Sequence, residues 1–170
     1  MRLATPLAFA SLALAAAVLV PAAASAQSAP TRKAGLWELS MTMSAPMTMH
    51  QTMQMCTDAA TEAKGLAFNN NMNAPSGVTC TSGPVTPAPG GWRYSNTCSM
   101  KGMTMATEGT ATGDFGSGYR MESTTTMTPA PIPQMAQSHM VIDAKWLGPC
   151  PADLAPGDMM VGGRKIAARK

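Results

Sequence analysis

The sequence predicts an all-β domain of about seven antiparallel strands in a curved sheet or small open barrel, with one short helix after the second strand. Three observations carry that expectation. Apolar and polar residues alternate over long stretches, clusters of Pro, Gly, Ser and Asn interrupt the alternation at regular intervals, and four cysteines lie far apart in the chain.

A leader precedes the domain. Arg2 is its one charge, and the apolar run from Leu7 to Val20 has the length of a signal-peptide core but is short for a membrane span. Ala24-Ser25-Ala26 then places small residues at alternate positions, so cleavage is expected between Ala26 and Gln27. No cysteine follows the cut for lipid attachment, no twin arginine precedes the apolar run, and no transmembrane anchor is expected after cleavage. The expected organisation is a signal peptide at 1–26, a linker at 27–32, a disulfide-bearing β domain at 33–151 and a flexible basic tail at 152–170.

Within the domain, Trp37, Leu39, Met41 and Met43 alternate with Glu38, Ser40 and Thr42, which puts an apolar set on one strand face and a polar set on the other. Ser44-Ala45-Pro46 breaks that strand. Met47, Met49, Met53 and Met55 resume the period, with Thr48, His50, Thr52 and Gln54 opposite, and the hairpin ends at Cys56. Thr57 to Gly65 reads as the short helix, with a capping hydroxyl or carboxylate, alanines and a glycine stop, and Asn69-Asn70-Asn71 opens a loop. Strands at 78–86 and 92–100 flank the breaker run Pro87 to Gly91. Three more are expected at 103–112, 118–128 and 138–147, separated by Gly113-Asp114-Phe115-Gly116 and by the proline-rich stretch from Thr128 to Gln134.

The cysteines Cys56, Cys80, Cys98 and Cys150 are even in number and none is closer than eighteen residues to another, which favours two disulfides over a zinc site built from close cysteine pairs. If Thr86 pairs with Trp92 across the turn, Cys80 falls opposite Cys98, a placement suited to a cross-strand bridge at a non-hydrogen-bonded pair. Cys56 then bridges Cys150. Strand direction agrees, because the other two connectivities would join opposite ends of the sheet.

Composition excludes some functions. Only 12% of residues are charged, against roughly 25% in ordinary soluble domains. The net charge of +3 is scattered apart from Arg164, Lys165, Arg169 and Lys170, so the chain lacks the basic stripe of a nucleic-acid binder. That terminal cluster could touch an anionic membrane, although a frayed end is the simpler reading.

Lys33-Ala34-Gly35-Leu36-Trp37-Glu38, the cysteine ending the second strand, the stretch Trp92 to Cys98 and Gly148-Pro149-Cys150-Pro151 together resemble a bacterial family known as domain of unknown function 3617. The resemblance spans Lys33 to Pro151. That family usually has proline where this chain has Ala34, and the segment beyond Pro151 falls outside the match. The resemblance implies a periplasmic or secreted four-cysteine β domain of unknown role, with no family active site to carry over.

Methionine is the unusual residue, 17 in all, repeatedly in Met-x-Met pairs such as Met41/Met43, Met47/Met49, Met53/Met55 and Met103/Met105. In a strand each pair points two thioethers the same way, about 6 to 7 Å apart. Met47, Met49, Met53 and Met55, with a nitrogen from His50, are therefore a candidate Cu(I) or Ag(I) site, copper being the one cofactor the residues suggest. Plain core packing explains the same spacing. Trp37, Trp92, Tyr94, Tyr119 and Trp146 are candidates to line an apolar pocket, or to form the core. Catalysis has little support: His50 and His139 sit on polar strand faces, Glu122 and Asp143 are isolated acids, and the glycine-rich stretches are turns. The expected function is that of an exported, non-enzymatic binding protein for a small molecule or envelope component. A Met-rich copper or silver binder and a structural cell-envelope factor are the alternatives.

Overall fold

The computed structural model describes residues 29–45, 47–63 and 77–168. The Ala26/Gln27 cleavage site, Gly65, the Asn69 to Asn71 loop, Arg169 and Lys170 lie outside these. The described residues form ten strands: β1 (Gly35–Ser44), β2 (Met49–Thr57), β3 (Val78–Ser82), β4 (Thr86–Ala88), β5 (Gly91–Met100), β6 (Met103–Asp114), β7 (Gly118–Thr128), β8 (Gln137–Gly148), β9 (Met159–Val161) and β10 (Arg164–Ile166). One α-helix, α1 (Ala59–Ala63), follows β2, and a single 3-10 turn at Pro133–Met135 precedes β8. Its cap is the carboxylate of Asp58, which accepts from the Thr61 amide at 2.7 Å while Thr61 Oγ1 accepts from the Asp58 amide at 2.7 Å. The bond from the Thr61 amide, first, holds the Asp58 carboxyl below its usual range.

All pairing is antiparallel in one open sheet, ordered β10-β9-β2-β1-β8-β7-β6-β5-β3, with β4 also on β5. The meander β5 to β8 returns to β1, so the first strand lies in the middle. Two departures raise the strand count above seven. The strand expected at 78–86 splits into β3 and β4, because Pro84 has no N–H to continue a ladder. The segment expected as a flexible tail instead carries β9 and β10, joined by Gly162 and Gly163, both at positive φ as a tight hairpin requires. β9 extends the sheet beside β2.

Alternation sorts the side chains as expected. One face buries Trp37, Leu39, Met55, Tyr94, Ala111, Tyr119, Met121 and Ala144, joined by Phe115 from the β6–β7 turn. Trp37 is wholly buried and donates from Nε1 to the Lys33 carbonyl at 2.8 Å. Tyr94 lies across Gly109, where an added Cβ would come within 2.5 Å of the ring, so only glycine fits there. The other face carries Thr, Glu, Arg, His and Asp.

Both disulfides form as expected. Cys80 and Cys98 are directly opposite with Cα atoms 4.0 Å apart, the close spacing of a non-hydrogen-bonded pair. Thr86 in fact faces Arg93 rather than Trp92, and one extra residue in the Gly83 to Val85 bend restores the frame by Cys80. Cys56 bridges Cys150, with Cα atoms 5.6 Å apart.

Asp158, itself buried, ties down the C-terminal hairpin. Its carboxylate receives Lys165 Nζ at 2.8 Å and the amides of Ala168 and Ala155, each at 3.0 Å, and the segment is laced to β2 by Cys56 N to Asp158 O at 3.1 Å. The Lys165 bond first, then the Ala168 amide, hold its carboxyl down from 3.8 to about 2. A depressed carboxyl contributes stability above its unfolded pKa and loses it as pH falls through the folded one. Amide exchange at Ala168 is therefore expected to accelerate between about pH 4 and pH 2, ahead of the core strands. Uniform acceleration across the sheet in that window would show that Asp158 does not hold the hairpin separately.

Candidate functional site

An opening lies on the polar face, not among the aromatic residues. It is a groove of about 800 Å³ that crosses β4 to β8. Two cross-strand rows build it. Arg93 faces Thr110, which faces Glu122, which faces Val141, and alongside run Ser95, Glu108, Thr124 and His139. Period-2 alternation places these side chains together, since most outward-facing residues of β5 to β8 are polar and the register aligns them.

Several groups in and beside the groove are already engaged. His139 Nδ1 is 2.9 Å from the Thr124 hydroxyl, its directly opposed neighbour. Glu122 and Asp143, which looked isolated in the sequence, share one cation: Arg120 donates to Glu122 Oε1 at 2.7 Å and to Asp143 at 2.8 and 2.9 Å. Those bonds raise the Arg120 pKa. Among the described residues, the Arg93 guanidinium and the Glu108 carboxylate have no ion-pair partner. They lie on adjacent strands as diagonal neighbours, two residues off register, so the groove presents one free positive and one free negative charge among hydroxyls.

Of the aromatic candidates, Tyr94 alone borders the groove, and its phenol is turned to the core, where burial pushes its pKa up against a bond to Ser123. Trp37 and Tyr119 pack together with ring centres 5.4 Å apart, Tyr119 stacks on Phe115 at 4.9 Å, and Trp92 and Trp146 pack against the same cluster. Trp146 also carries the Lys33 ammonium 3.5 Å above its ring. These residues belong to the core cluster or pack against it.

A buried ionic cluster was missed. Arg32, placed in the linker by sequence, is buried and belongs to the domain. Its Nη2 and Nε reach Glu62 Oε1 of α1 at 2.6 and 3.0 Å, its amide reaches Glu62 Oε2 at 3.1 Å, and its Nη1 reaches the Tyr119 hydroxyl at 3.2 Å. Burial pushes the Tyr119 phenol up. A pair thirty residues apart with no periodic pattern leaves no mark in the sequence.

The candidate metal residues are divided rather than gathered. Met55 is in the core, Met53 packs against it, and Met47 and Met49 are 71% and 55% exposed. His50 turns to the opposite face, where its Nδ1 lies 3.0 Å from the Thr42 hydroxyl. Among the described residues, no group of three His, Cys, Asp or Glu could hold a metal, and no helix is long and apolar enough to cross a membrane.

The model of one family, described as protein of unknown function (DUF3617), matches residues 32–150. That span begins at buried Arg32 and ends at Cys150. No curated protein and no solved structure matches the chain.

Proposed function

The chain belongs to the DUF3617 family of proteins of unknown function, and we propose that it is an exported binding protein, not an enzyme, that holds a small polar molecule in the groove across β4 to β8. The groove itself carries this reading. Its volume is in the range of small-ligand sites, and its unpaired Arg93 and Glu108 would meet a ligand bearing both an acidic and a basic or donor group. Export to the periplasm or beyond is supported by the leader at 1–26 and by two disulfides that use all four cysteines.

The test is native mass spectrometry of the protein purified undenatured from its own host, beside an R93A/E108A variant. The expected result is a small molecule released from the wild type on denaturation and missing from the variant. Equal release from both would move the ligand away from the groove, and no release from either would count against a binding role.

A further inference from the structure

We propose that Met43, Met49 and Met140 form an all-thioether site for one Cu(I) ion, for which Ag(I) is the closed-shell surrogate. The register puts the three side by side. Met43 on β1 is directly opposite Met49 on β2 on one side and directly opposite Met140 on β8 on the other. Opposed residues share a sheet face with Cβ atoms about 4.5 to 5.5 Å apart, and the three rotatable bonds of methionine let neighbouring sulfurs converge on one point.

Met140 is half-buried, but packing accounts for Met43 and Met49 less well than for the core of the face. Met55 and Met121 are 9% and 6% exposed and fill the core. Met43 and Met49 are 38% and 55% exposed, and Met47, two residues before Met49, is 71% exposed. A solvent-facing strand position gains little from a flexible apolar side chain, and methionine is not among the residues that strands favour.

The neighbouring histidines fix the choice of metal. His50 follows Met49 and His139 precedes Met140, so alternation sends both imidazoles to the opposite face, where Thr42 and Thr124 hold them. What remains is soft sulfur without nitrogen or carboxylate. Such a set selects Cu(I) over Cu(II) or Zn(II). The ion binds without a change of oxidation state, so no redox partner is required.

The test is an anaerobic titration of the full, disulfide-bonded chain with Cu(I) against a competing chelator, followed by X-ray absorption. One equivalent bound with submicromolar Kd and sulfur-only coordination is expected. M43L/M49L/M140L, checked for fold by near-ultraviolet circular dichroism, should lose that binding, and the single exposed change M49L should weaken it. M103L/M105L/M127L, on the same face at another corner, should bind as the wild type does. Absence of submicromolar binding, nitrogen or oxygen in the coordination sphere, retention by the first triple variant or loss by the second would each overturn the assignment. The groove's occupancy does not enter this measurement, so the two readings fail separately.

Discussion

Replacing Cys56 and Cys150 together by alanine is expected to lower the unfolding free energy by about 4 to 5 kcal/mol, against about 3 kcal/mol for the Cys80/Cys98 pair. The difference comes from the unfolded chain. The first bridge closes a separation of 94 residues and the second one of 18, and the logarithmic loop term makes that contrast worth about 1.5 kcal/mol. Native packing should add to it, because Cys56 is wholly buried while Cys80 lies half-buried on an edge strand. The long bridge also spans β1: β2 and β8 are the two neighbours of that strand, and the bond joins the end of one to the segment just past the other. Urea unfolding of the two double variants, compared at equal m-values, checks the order. Equal losses, or a larger loss from the short loop, would show that strain or residual unfolded structure outweighs loop closure.

What made those bridges legible in the sequence was period and direction. Alternation at Trp37 to Met55 placed two strands and their faces, and the turn at Pro87 to Gly91 placed a hairpin whose frame was one residue off at Thr86 and correct at Cys80. The errors have physical causes. Gly162-Gly163 signals a hairpin as clearly as Gly90-Gly91 does, but it stands among basic residues that suggested a frayed end. Alternation separates two faces without saying which one will be hollow, so the aromatic face was the natural place to look for a pocket while the opening formed over threonines and Glu108. Sequence alone pairs methionines along a strand, as Met47/Met49 and Met53/Met55. The row that brings exposed Met43 and Met49 beside half-buried Met140 runs across strands, and only the β1–β8 register reveals that third member.

Arg32→Met and Glu62→Leu, made singly, are each expected to cost about 3 to 5 kcal/mol, and the R32M/E62L double variant far less than their sum. The Arg32 and Glu62 side chains are 1% and 5% exposed. A charge left alone at that depth retains its full desolvation penalty, whereas removing both ions exchanges a paired, costly arrangement for apolar contact. Some loss should persist in the double variant. Tyr119 gives up its bond from Arg32 Nη1, and the Arg32 backbone amide gives up its Glu62 acceptor. Chemical denaturation of the four proteins in the cycle measures the coupling. Additive single effects below about 1 kcal/mol would mean that the pair is solvated and behaves as a surface ion pair. A large coupling would establish that the residues just before β1 are fastened to α1 and β7 through one guanidinium, so that cutting the chain after Arg32 removes a structural element and not a linker.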